Sequence, residues 1–205
     1  MTKAAPQSRA FAVKKYRLEA LSDGIYAIAL TLLVLELKLP ALPHDVADQA
    51  LRDALLELIP KVLAWLLSFS VIALLWVVQQ RIYRFIETID RGLGRVELVL
   101  LALVSLLPFS TAVVGEYGTH VSAAVLYAGH LVAISLVGVL RVVVFLRSSA
   151  VHSPELDAHA IRGMRIRAAI FAVCALATFL LAFVVPGFNM LAMLPSALAP
   201  ALARD

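Results

Sequence analysis

At 205 residues, with 62% hydrophobic side chains and a mean hydropathy of +0.92, the chain is too apolar for a soluble domain, where the apolar share is about 45–50%. The net charge of +4 does not indicate nucleic acid, because Lys and Arg are spread between apolar runs instead of forming one patch. The single cysteine, Cys174, excludes an internal disulfide framework.

The expectation is one integral membrane domain over 1–205 with a short basic N-terminus over 1–16. That N-terminus lacks the apolar core and small-residue cleavage site of a signal peptide. The next apolar run, inside Arg17 to Pro40, carries Ser22, Asp23 and Glu36 and is long enough to span, so it reads as a retained first helix. A spanning helix needs about 20 mostly apolar residues. Five segments meet this: Leu18–Leu39, Val62–Gln80, Leu98–Gly115, Tyr117–Leu140 and Ala168–Val185. Pro186-Gly187 then breaks the pattern. Phe188–Ala203, with Pro195 and Pro200, is short and is read as a sixth span, a re-entrant piece being the alternative.

In the first span, Arg17, Glu19, Asp23 and Ser22 stand at the mouth of the membrane segment. Carboxylates there are costly, about 2.5–3.5 kcal/mol at a helix centre, and usually serve a purpose. Beyond them Leu21, Gly24, Ile28, Thr31 and Leu35 recur at spacings of three and four, one face of a helix. Residues 25, 29 and 32 form a second apolar stripe, so periodicity alone does not choose between the faces. Asp23 lies one turn after Glu19, a like-charge pair that needs compensation. Arg17 is six residues from Asp23 and is read as pairing with another helix or subunit. Three readings stand for Ser22 and Asp23: a hydrogen-bonded cluster that fixes the first helix, a helix N-cap, or a direct ion-binding role.

The connection Pro40 to Pro60 is amphipathic and reads as an outward extension of the second helix or an interfacial helix. The following basic residues, Arg81, Arg84, Arg91 and Arg95, then Arg141, Arg147, Arg162, Arg165 and Arg167, read as loops on one side. With Lys3, Arg9, Lys14, Lys15 and Arg17 they make lipid headgroups their partners and, where the sixth piece spans, place both termini in the cytoplasm. Pro108 is expected to free a carbonyl that Ser110 and Thr111 could satisfy. His130 is read as packing or hydrogen bonding. Val114 to Gly118, VGEYG, shares letters with a potassium-channel filter, but Glu116 interrupts it, and a short outer turn is the better reading. No P-loop, nucleophile elbow, zinc signature or dinucleotide fingerprint is present, so the chain reads as a non-enzyme with no cofactor and no bound metal.

The run Arg17-Leu-Glu-Ala-Leu21-Ser22-Asp23, followed by an apolar helix, resembles the R-x-x-x-F-S-D signature of the transmembrane protein 175 family. The stretch Leu106 to Gly118, LLPFSTAVVGEYG, is similar to one in bacterial members, and the expected span count agrees. Leu21 replaces the aromatic of the signature, which removes a ring contact. The resemblance implies an all-α channel with six transmembrane helices per subunit. It implies a homotetramer in a bacterial cell membrane, with the first helix lining the pore. It further implies passive conduction of K+ in preference to Na+ without a carbonyl filter, with Ile28 at the constriction and Thr31 and Leu35 above it. The alternatives are a secondary transporter, disfavoured because charges gather at membrane edges, and a proton-permeable leak channel.

Overall fold

The computed structural model describes residues 14–148 and 152–196, and these form an all-α bundle. Helix α1, Lys15–Val34, has 20 residues, about 30 Å at the usual rise and thus close to the hydrocarbon thickness. Lys15 pairs with Glu19 at 3.7 Å, which compensates the carboxylate that stands one turn before Asp23. Helix α2, Asp48–Glu57, is short and separate, held by Arg52–Asp48 at 3.2 Å and Gln49–Asp53 at 3.1 Å, with Ala54 its buried residue. Leu58 breaks the chain before α3, Ile59–Arg84, where Pro60 occupies the first turn that tolerates it. Helices α4, Arg91–Tyr117, α5, Val121–Arg147, and α6, Ala158–Leu181, complete the bundle. A 3-10 turn, Asn189–Met193, follows.

Helices α3 to α6 are long and apolar enough to cross a membrane by length and composition. Helix α1 has the length, but Arg17, Glu19 and Asp23 crowd its first turns. The helices outrun the apolar segments expected from sequence. Arg81 and Arg84 lie in α3, Arg91 and Arg95 in α4, Arg141 and Arg147 in α5, and Arg162, Arg165 and Arg167 in α6. These residues are therefore not loop residues. A charge ends a hydropathy run, but it does not end backbone hydrogen bonding, and long arginine stems can lie along apolar surface. The VGEYG stretch is likewise the end of α4 as far as Tyr117, with the turn at 118–120. The sixth apolar piece begins with the 3-10 turn, and its part beyond residue 196 lies outside the described residues.

Helix α1 packs against α3 and α4, α4 against α5, and α5 against α6, with the 3-10 turn folded back on α6. Asn189 is buried there and donates from Nδ2 to the Thr178 carbonyl at 3.2 Å. Gly187 takes a φ of 90°, open to glycine, and a Cβ there would stand 3.5 Å from the Gly118 carbonyl. The core centres on Leu33, Ile72, Leu93, Leu101, Leu107, Leu131 and Phe145. At the end of the bundle where α4 and α6 begin, two connections lock together. Ser153 N donates to the Phe85 carbonyl at 2.9 Å, and Ser148 Oγ donates to Asp90 at 2.8 Å. Asp90 also caps α4 through Leu93 N at 2.7 Å, and Asp157 caps α6 through Ala160 N at 2.7 Å.

Pro108 leaves α4 helical, and the hydroxyls nearby behave differently from expectation. Ser110 Oγ and Thr111 Oγ1 bond the Leu107 carbonyl at 3.1 and 2.8 Å instead of the Val104 carbonyl that the proline releases. His130 joins this region, with Nδ1 2.8 Å from Ser110 Oγ and Nε2 3.0 Å from the Leu103 carbonyl.

Candidate functional site

Helix α1 has two distinct faces. Leu18, Ser22, Tyr26, Ala29 and Leu33 are buried against α3 and α4. Leu21, Gly24, Ile28, Thr31 and Leu35 are all exposed on the protomer, Ile28 by 59% and Leu35 by 58%. The second apolar stripe divides: Ala29 is buried, Ile25 half-buried and Leu32 exposed. Thr31 Oγ1 donates to the Ile28 carbonyl at 2.9 Å. Its hydrogen is thereby committed to the helix, and its lone pairs are left facing outward.

At the charged end, Asp23 accepts two hydrogen bonds at one oxygen, from Trp76 Nε1 at 2.9 Å and Gln80 Nε2 at 2.8 Å, both on α3. The donors sit four residues apart, so one face of α3 presents both. The N-cap reading of Ser22 and Asp23 is overturned, because α1 starts a full two turns earlier, at Lys15. Ser22 is buried and Asp23 is exposed, so the two adjacent residues, about 100° apart around the helix, stand in different surroundings. Arg17 is exposed and makes no ion pair among the described residues.

Behind α1 lies a polar network that the sequence reading missed. Tyr26 OH donates to Gln79 Oε1 at 3.1 Å, and the same oxygen accepts from Arg141 Nη1 at 3.4 Å. Arg141 stands 3.7 Å from Glu97, and the two side chains are 4% and 1% exposed. The network thus joins α1, α3, α4 and α5. The available signal was Arg141 inside an apolar run and Glu97 at the start of one, two residues after Arg95. Isolated opposite charges at membrane depth pair with each other. Farther along the bundle, Thr111 Oγ1, whose hydrogen goes to the Leu107 carbonyl, lies 2.8 Å from Ser68 Oγ, which in turn is 2.9 Å from Tyr127 OH.

The family model described as endosomal/lysosomal potassium channel TMEM175 matches residues 17–108, from Arg17 of α1 to Pro108 of α4. A potassium channel of Chamaesiphon minutus is 42% identical over 125 residues, 59% of this chain and 61% of that protein. A potassium channel of Streptomyces collinus is 35% identical over 159 residues, 75% of each chain. The chain thus aligns with less than two thirds of the first relative's length and with three quarters of the second's. The crystal structure of a lysosomal potassium-selective channel TMEM175 homolog from Chamaesiphon minutus superposes with a TM-score of 0.77 at 32% identity, covering 93% of this chain and 98% of that one. With the R-x-x-x-L-S-D run seated on α1 as described, the chain belongs to the TMEM175 family.

Proposed function

We propose that the chain is a passive, potassium-selective cation channel of a bacterial cell membrane. Four copies would surround a pore lined by the exposed face of α1, with both termini in the cytoplasm. The reading rests above all on one observation: Leu21, Gly24, Ile28, Thr31 and Leu35 are all left exposed by a protomer that packs the opposite face of the same helix tightly. The charges agree with it. Exposed Arg17 and Asp23 at one end of that helix are costly against lipid and far less so at an aqueous mouth. Potassium conduction is carried over from the bacterial relatives, which are potassium channels.

In a four-fold assembly each residue of the stripe becomes a ring. An Ile28 ring narrows the path and makes an ion shed water, and apolar rings gate by dewetting. The Thr31 ring, one turn on, offers four outward hydroxyl oxygens to a partly dehydrated cation. Such a site binds weakly, which suits rapid passage. No step calls for a cofactor.

The test is Ile28→Asn, with potassium and sodium currents recorded from protein in planar bilayers. A hydrophilic ring removes the dewetting barrier, so conductance rises and potassium preference falls. Unchanged conductance with unchanged selectivity overturns the assignment of Ile28. Flux that saturates at transporter-like turnover overturns the channel itself.

A further inference from the structure

The two polar clusters inside the bundle differ in one respect. Around Ser68, Thr111 and Tyr127 each hydroxyl has a partner. Around Glu97 many buried atoms have none among the described residues: both Glu97 carboxylate oxygens, Gln79 Nε2, Arg141 Nε, Tyr83 OH and Ser22 Oγ. All five side chains are more than nine-tenths buried. They also belong together. Gln79 bonds Arg141, Arg141 faces Glu97, and Tyr83 lies within range of Ser22 and of the Glu97 and Arg141 charges.

Ser22 stands out among the hydroxyls of these helices. Thr31, Ser70, Ser105, Ser135 and Thr178 each turn the hydroxyl back to a carbonyl of their own helix. Ser22 does not, and its hydroxyl stays in the cluster. The inventory is complementary. Glu97 supplies acceptors, while Gln79, Arg141, Tyr83 and Ser22 supply donors, and apart from the 3.7 Å ion pair of Arg141 with Glu97 no bond joins the two sets among the described residues.

We propose that Ser22, Gln79, Tyr83, Glu97 and Arg141 enclose a buried water site, in which bound water bridges the Glu97 carboxylate to the surrounding donors. Water is the occupant because the site needs donor and acceptor in one small molecule. The Arg141 guanidinium in its wall opposes a cation, and Glu97 opposes an anion. The bridge ties α1, through Ser22, to α3, α4 and α5, and it stands whether or not the chain conducts potassium.

X-ray radiolytic footprinting of the full chain in liposomes tests this. Hydroxyl radicals form from water in place, so a buried tyrosine is oxidised only where water is bound beside it. Tyr83 and Tyr127 are equally sequestered, at 2% and 0% exposed, and only Tyr83 borders the orphaned atoms. Tyr83 is expected to be modified about tenfold faster than Tyr127, since a polar site of this kind holds ordered water. Equal slow rates at both residues overturn the proposal. In the double variant Glu97→Leu, Arg141→Met the Tyr83 rate should drop to that of Tyr127, and a Tyr83 rate that stays high there overturns it too. If the double variant does not fold, the wild-type ratio decides alone.

Discussion

The two faces of α1 are nearly alike as lists of residues and opposite in fate. One reads Leu18, Ser22, Tyr26, Ala29, Leu33, and the other Leu21, Gly24, Ile28, Thr31, Leu35. Each holds aliphatic side chains, one small residue and one aliphatic hydroxyl, and the buried face adds Tyr26. In water the more apolar face would be buried. In a bilayer lipid is as apolar as leucine, so burial is decided by close packing and polar partners. The buried face has both: Leu33 and Ala29 fit against α3 and α4, and Tyr26 finds Gln79. The exposed face has neither within the protomer.

The largest expected difference between the faces comes from truncating one leucine on each. Leu33→Ala removes a fully buried side chain and should cost about 2–5 kcal/mol of protomer stability. Leu35→Ala acts on an exposed side chain and should stay within about 0.5 kcal/mol. Thermal unfolding in detergent, followed through Trp65 and Trp76, measures both. Equal losses would erase the distinction between the faces.

A smaller effect is expected from Tyr26→Phe, which keeps the ring and deletes the bond to Gln79. Gln79 Oε1 retains Arg141 as a donor at 3.4 Å, so the loss should sit near the low end for a buried polar group, about 1 kcal/mol. The same unfolding experiment reads it. A loss as large as that of Leu33→Ala would mean that the polar network, more than packing, holds α1 in place.

How much of this was legible beforehand follows from the same physics. That α1 is a helix with a charged mouth could be read from composition along the chain, because hydropathy is a local property. Which face it buries could not, because two stripes of similar polarity compete and only the neighbours choose. Helix ends differ from the hydropathy edges where arginine sits in the terminal turns: α6 starts at Ala158, where the apolar segment starts at Ala168. Arg141 was assigned to a loop for the same reason, and so its partner Glu97 went unnoticed. Asp23 was singled out, but Trp76 and Gln80 were not, since a contact across more than 50 residues depends on the relative register of α1 and α3. The candidate stripe lies exposed on the protomer, as do Ala20, Ala27, Leu32 and Val34 of the same helix, and its role as a pore lining rests on assembly, which no single chain displays.

The smallest of these effects is the sharpest test of assembly. A Cβ added at Gly24 meets nothing within 4 Å in the protomer. If this face met only lipid or a wide aqueous path, Gly24→Ala would stabilise the helix by up to about 1 kcal/mol through propensity alone. If copies of α1 approach closely around an axis, glycine is the residue that permits it, because small residues let helix backbones meet. Alanine would then push the copies apart. Native mass spectrometry after mild detergent release separates the cases: a tetramer weakened while the protomer's unfolding temperature holds or rises places Gly24 at a close contact between subunits. A tetramer as strong as wild type puts the close approach elsewhere along the stripe, at the Ile28 ring or beyond it, and leaves the charged end of α1 as an open mouth.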